Sequence, residues 1–202
     1  MSPKELLLNS IIYAIVILLI CPLGGALINK ILTTLISAIC RVFDRSGNLF
    51  LCVANTITFM GVVFHELSHA FIAFMLGAKI RKINLYKKTG NRLGSVIYSP
   101  KGPAILRSLQ MSLSAAAPVF MGAIAQIYIF YILQNMHMPI WVCLILYYLL
   151  FSIALHMDMS AEDIGVYLKG IPICLLLIVI IMAIVGYFFD LPILTQYIKH
   201  YL

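Results

Sequence analysis

The sequence predicts an all-α polytopic membrane protein, with about five transmembrane helices and a small β-hairpin at the membrane surface. Hydrophobic residues make up 63% of the 202 positions and charged residues only 10%, whereas a soluble domain carries about 25% charged residues to cover its surface. Mean hydropathy is +1.05. The apolar residues are also gathered into long uncharged runs, and about 20 such residues suffice for one crossing. Together these features exclude a soluble globular enzyme, a disordered chain and a free nucleic-acid-binding module. The net charge of +7 then records basic loops facing the cytoplasm and anionic lipid, with no nucleic-acid partner. Five cysteines without CxxC spacing indicate neither a disulfide framework nor a zinc ribbon.

The first run, Leu6 to Asn29, is 24 residues without a charge. It is longer than the apolar core of a cleaved signal peptide, about 7–15 residues, so it reads as a retained first helix. Residues 31–48 contain Arg41, Asp44, Arg45 and Gly47, a pattern expected of an interfacial stretch and a turn. A second apolar run covers Leu49 to Ala78, a third Ser108 to Gln134 and a fourth Pro139 to Met157. Pro172 is expected to open a fifth, ending near Phe189, because the first helical turn has no use for the amide that proline lacks. No internal repeat or second domain is visible, and residues 1–202 read as a single domain.

The loop at 79–107 carries eight Lys or Arg and no acid. Ile83 and Leu85 alternate with polar neighbours, Thr89-Gly90-Asn91 reads as a turn, and Ser95–Tyr98 is rich in strand formers, which predicts a hairpin. Five crossings would put the amino terminus and this loop on one side with Lys169, leaving Lys30, Arg41, Arg45 and Lys199 on the other. The excess of positive charge predicts that the amino terminus and 79–107 are cytoplasmic, in a protein of the cell membrane.

Inside the second run sits Phe64-His65-Glu66-Leu67-Ser68-His69-Ala70. Ionisable groups in hydrocarbon cost a few kcal/mol or more each, so three within one turn demand a partner. His65 and His69 are four residues apart, which stacks both imidazoles on one helix face. Glu66 follows the first of them. This HExxH spacing is that of zinc hydrolases, where two neutral imidazoles hold the ion and the carboxylate takes a proton from the attacking water. One Zn²⁺ per chain is expected.

A catalytic zinc wants a third protein ligand. Glu5, Asp44 and Asp190 lie at loops or ends, which leaves Asp158, Glu162 and Asp163 after the fourth run. Ser160 and Asp163 have the spacing of a capping box, and Glu162 suits the first turn of the helix that follows. Asp158 has no such structural duty and is the expected third ligand, with Asp163 and His156 as alternatives. His156 would otherwise support the ligands or carry protons. His137 and His200 read as ordinary interfacial residues.

These residues resemble the site-2 protease family of intramembrane zinc metalloproteases. The resemblance covers roughly residues 49–170 and is carried by His65–His69 within an apolar helix, by Leu76-Gly77-Ala78-Lys79-Ile80 leading into Ile83-Asn84-Leu85-Tyr86, by Ala115-Ala116-Ala117-Pro118, and by Met157-Asp158-Met159. Ala117 stands where the family's Gly-Pro pair has its glycine, Gly122 falls near where an Asn is often found, and Met159 stands where glycine follows the ligand aspartate. The resemblance implies one zinc held by His65, His69 and Asp158, with Glu66 as the base, and cleavage of membrane-protein substrates within the bilayer. Ala117 and Pro118 would lie beside the substrate. The competing reading is a zinc-binding membrane protein without proteolysis, either a transporter or an inactive scaffold.

Overall fold

The computed structural model describes residues 3–40, 56–85 and 94–189. Among these the chain is mostly helical, with five helices and one two-stranded antiparallel sheet. Helix α1 comprises Pro3–Ile15, a five-residue π-helical segment Val16–Ile20, and Cys21–Cys40 in direct succession. Helix α2 is Phe59–Met75, α3 is Ala104–Asn135, α4 is Ile140–Leu155 and α5 is Ala161–Phe189. Strands β1, Lys79–Asn84, and β2, Ser95–Ser99, lie between α2 and α3. Three helical stretches, Leu8–Leu35, Ala104–Asn135 and Ala161–Val185, are long and apolar enough to cross a membrane. Helices α2 and α4 are apolar but shorter, at 17 and 16 residues, against about 20 for a full crossing.

Two boundaries differ from expectation. The stretch 31–40 is not an interfacial turn but continues α1. Its threonines return their hydroxyls to the helix, Thr33 to the Asn29 carbonyl at 2.9 Å and Thr34 to that of Lys30 at 2.7 Å, so the polar residues cost the helix no unpaired group. Pro172 does not open the fifth helix but lies inside it. The start belongs to Ser160, whose hydroxyl accepts from the Asp163 amide at 3.1 Å while Asp163 Oδ2 accepts from the Ser160 amide at 3.0 Å. This capping box satisfies donors that Pro172, twelve residues on, has no means to reach. The expected turn at Thr89-Gly90-Asn91 and the segment 41–48 lie outside the described residues.

Helix α3 is central, packing against all four other helices. Its buried face is made of small residues, Ser112, Ser114, Ala115, Ala116 and Ala117 with Pro118, and small residues let helix backbones approach closely where lipid offers no hydrophobic drive. Gly170 of α5 lies against Ser112, where an added Cβ would stand 2.5 Å from the serine's own. The outward faces remain apolar, with Ile127, Tyr131, Trp141, Leu144, Leu176 and Ile181 all exposed. So large an uncovered apolar surface is compatible with a membrane protein.

Helix α2 ends in a Schellman turn. Gly77 has φ +82°, the Ala78 amide donates to the Ala73 carbonyl at 2.9 Å and the Gly77 amide to that of Phe74 at 2.9 Å. The positive φ suits glycine. The chain passes directly from it into β1. The strands pair from Lys79 with Ser99 to Asn84 with Ser95, and an irregularity between Ile80 and Lys82 bends the ribbon. Gln110, fully buried on α3, anchors this corner: it donates to the Leu76 carbonyl and accepts from the Lys101 amide, each at 2.8 Å.

Candidate metal centre

The face of α2 that turns inward carries Val62, Glu66, His69, Ala70 and Ala73, the three- and four-residue spacing of one helical stripe. His65 stands at its edge and is partly exposed. The two imidazoles meet as the i, i+4 spacing requires, with Nε2 of His65 3.1 Å from Nε2 of His69.

Their other nitrogens settle what that contact means. Nδ1 of His65 lies 2.8 Å from the backbone carbonyl of His156, and Nδ1 of His69 lies 2.7 Å from the carbonyl of Ser114. A carbonyl oxygen only accepts, so each Nδ1 carries the proton. In the neutral rings both Nε2 atoms then present lone pairs, facing each other with no proton between them. That arrangement is repulsive unless a cation lies between the rings. Two nitrogens bound to one tetrahedral zinc at about 2.0–2.1 Å would stand about 3.3 Å apart, close to the separation here. The donor set therefore fits a divalent ion.

The carboxylate that completes the cluster is that of Asp163. One ligand atom from each of His65, His69 and Asp163 lies within 4.8 Å of the others, and Asp163 Oδ2 is 4.0 Å from His69 Nε2. Asp158, the expected third ligand, approaches His65 from the opposite side. Its Oδ1 is 4.0 Å from Nδ1, the nitrogen already engaged by His156, and its side chain is 52% exposed. The reason for the difference is the loop 156–160. It turns so that α5 starts against the histidines, and the first turn of α5 carries Asp163 to the Nε2 side. Asp163 keeps its capping role as well, with Oδ2 accepting from the Ser160 hydroxyl at 2.5 Å.

His156 is not drawn into the cluster by its ring. Its Nε2 is 2.9 Å from the Thr58 hydroxyl, and its carbonyl holds the candidate ligand His65. Ser152 ties the same corner together, accepting from the Gly61 amide at 2.7 Å and donating to the Thr58 carbonyl at 3.0 Å. A Cβ on Gly61 would overlap the Ser152 carbonyl oxygen and stand 2.5 Å from the His156 ring, so glycine sets how closely α2 and α4 cross.

A cavity of about 390 Å³ opens over the cluster, lined by His65, Glu66, His69, Tyr98, Asp158 and Asp163 among others. Glu66 is buried at its wall. Three residues without a signature in the sequence contribute here. Gly94, just before β2, lies against Glu66: a Cβ there would be 2.5 Å from Cγ and 2.8 Å from Oε1. Tyr98, two strand steps from Val96 on the same face, lines the cavity as well. Burial pushes its phenol above the ordinary value, and the nearby Ser114 side chain offsets part of the rise. Ser114 itself donates from Oγ to the His69 carbonyl at 2.9 Å, so serine and histidine clasp each other twice. Ala117 and Pro118 are buried in α3, outside the residues that line the cavity.

Two imidazoles with fixed tautomers, a converging carboxylate and a buried glutamate thus share one cavity, an arrangement able to hold a metal ion and to move a proton beside it. Comparison of the chain with protein-family models, curated proteins and solved structures returns no match.

Proposed function

We propose that this chain is an intramembrane zinc metalloprotease of the site-2 protease kind, hydrolysing peptide bonds in or near the transmembrane segments of membrane-protein substrates. The observation that carries the reading is the opposed pair of Nε2 lone pairs on His65 and His69, with Glu66 one residue from the first. The protein is an integral component of the lipid bilayer, crossing it with all five helices, its amino terminus and residues 79–107 on the cytoplasmic side.

His65, His69 and Asp163 would hold the zinc, one ion per chain, and Asp158 stands beside them as an outer carboxylate. When bound, zinc supplies a Lewis acid that polarises the scissile carbonyl and acidifies a water. Glu66 accepts the proton of the attacking water and delivers it to the departing amine, so the proton count closes within one turnover. Its burial under Gly94 limits its rotamers and keeps it aimed into the cavity. The rings of His65 and His69 stay in one tautomer because backbone carbonyls hold their Nδ1–H groups, which presents Nε2 to the ion. A substrate helix hides its carbonyls in its own hydrogen bonds and must unwind before cleavage. Strand β2 borders the cavity with Ser95, Val96 and Tyr98, and an extended segment lying along it would gain main-chain partners.

The test uses the full chain in detergent, with casein as an already unfolded probe. Wild type should bind one zinc and cleave casein, a chelator should stop cleavage, and Glu66→Gln should keep the zinc and lose the activity. Proteolysis retained by Glu66→Gln would remove the base from the mechanism. Zinc transport into liposomes by a wild type that cleaves nothing would replace protease with carrier.

A further inference from the structure

We propose that Pro118 is a positioning residue of the metal centre: by lacking an amide hydrogen it leaves the Ser114 carbonyl open for His69 Nδ1–H and so fixes the ring that would hold the ion. The inference rests on reading His65, His69 and Asp163 as metal ligands.

In an α-helix the amide of each residue donates to the carbonyl four positions earlier. The donor owed to Ser114 would come from position 118. Proline there has none, and its ring crowds the same carbonyl, tilting it away from the helix axis. Ser114 is fully buried and Pro118 nearly so, so an unfilled carbonyl at this place would be costly. It is filled from outside the helix, by His69 Nδ1 at 2.7 Å. The adjoining Ala115, Ala116 and Ala117, each at most 3% exposed, keep this face of α3 thin enough for a ring on α2 to reach a backbone atom.

His65 obtains its acceptor by a different route with the same logic. The His156 carbonyl that holds it belongs to the residue capping the carboxyl end of α4, and the last carbonyls of any helix lack intrahelical donors. Helix α3 runs 32 residues, from Ala104 to Asn135, and does not end near the site. Within an unbroken helix a carbonyl that holds its own amide has only a second lone pair to offer a side chain, as the His69 carbonyl offers Ser114 Oγ; a proline four residues on leaves the whole carbonyl to the outside donor. The two ligand rings are therefore oriented by two carbonyls vacated by helix geometry, one by termination and one by Pro118.

This role predicts effects of opposite sign in one variant. Pro118→Ala restores the amide, and the Ser114 carbonyl returns to the helix. Zinc affinity of the full chain in detergent, measured by chelator competition, should weaken about 10–100-fold. The thermal midpoint of the metal-free protein should hold or rise, because alanine is the best helix former and proline the worst. Lactic acid introduced at position 118 carries the alanine methyl on a backbone ester, again without N–H, and should recover zinc affinity to within a few-fold of wild type. Equal zinc affinity in Pro118→Ala and wild type would overturn the proposal, as would a loss of affinity accompanied by a lower metal-free midpoint, or an ester no tighter than alanine. A wild type that binds no zinc would instead overturn the metal centre itself, a result obtained before any variant is made.

Discussion

Gly94 lies so close to Glu66 that any side chain on it would occupy the volume of the glutamate: an added Cβ would stand 2.5 Å from Cγ and 2.8 Å from the carboxyl carbon. The hairpin therefore acts on the site through a backbone surface, pressing on the residue assigned as the base.

Gly94→Ala should push the Glu66 carboxylate aside without touching the metal ligands. A misplacement of about 1 Å at a reacting group costs on the order of 100-fold in rate, so kcat on casein should fall by roughly that factor. Zinc content should match wild type. Loss of the metal along with activity would show that the hairpin supports the ligands as well.

Asp163→Asn should weaken zinc binding by upwards of about tenfold, the lower bound for disturbing even a supporting group, while Asp158→Asn should stay within a few-fold of wild type. The measurement is zinc affinity by chelator competition on both variants. The reverse order would return the third ligand to Asp158. The distinction was not legible in the sequence. Ser160 and Asp163 announce a helix start, and the box forms as the spacing predicts, but that capping duty ranks Asp163 only as an alternative ligand behind Asp158. One oxygen serves both purposes because the amino end of α5 is aimed at the histidines, a tertiary fact that no local pattern carries.

His156→Ala should leave zinc affinity nearly unchanged, since the carbonyl that holds His65 belongs to the backbone. Stability should fall by about 1 kcal/mol for the lost bond to Thr58, read as a lower thermal midpoint. A collapse of zinc binding would show that the ring, and not the carbonyl, orients His65.

Gly61→Ala should separate α2 from α4, because its methyl would overlap the Ser152 carbonyl oxygen and backbone yields less readily than a side chain. Overpacking of this kind costs about 1–3 kcal/mol. The His156 carbonyl rides on α4, so zinc affinity should drop with the thermal midpoint, in contrast to Gly94→Ala. Unchanged stability would mean that the helix crossing is slack.

What could be read from the chain beforehand follows a physical division. The HExxH stripe, the capping box, the glycine after α2 and the strand-forming stretches are local, fixed by residues within a few positions of one another, and each appears where its spacing put it. The length of α1 and the inclusion of Pro172 in α5 were missed for the same reason: both were judged by breaker residues alone. Helical continuity depended instead on Thr33 and Thr34 bonding backwards and on a cap twelve residues before the proline. Gly94, Ser114 and Tyr98 left no trace in the sequence, because their importance lies in which distant residue each one meets.

The π-helical segment of α1 bears on how the bundle can move. From Val16 to Ile20 the helix is wound wide, with the Cys21 amide reaching back to the Val16 carbonyl, and within it the buried Leu18 carbonyl takes a hydrogen bond from the Tyr167 phenol of α5. Both partners are buried, where an unpaired polar group is costly. It works as a rivet: α1 can neither roll nor slide along α5 without stranding a phenol and a carbonyl in the dry interior. Any parting of the bundle would accordingly follow a different seam, such as the one where the Asn29 amide reaches the Leu155 carbonyl at a looser 3.4 Å.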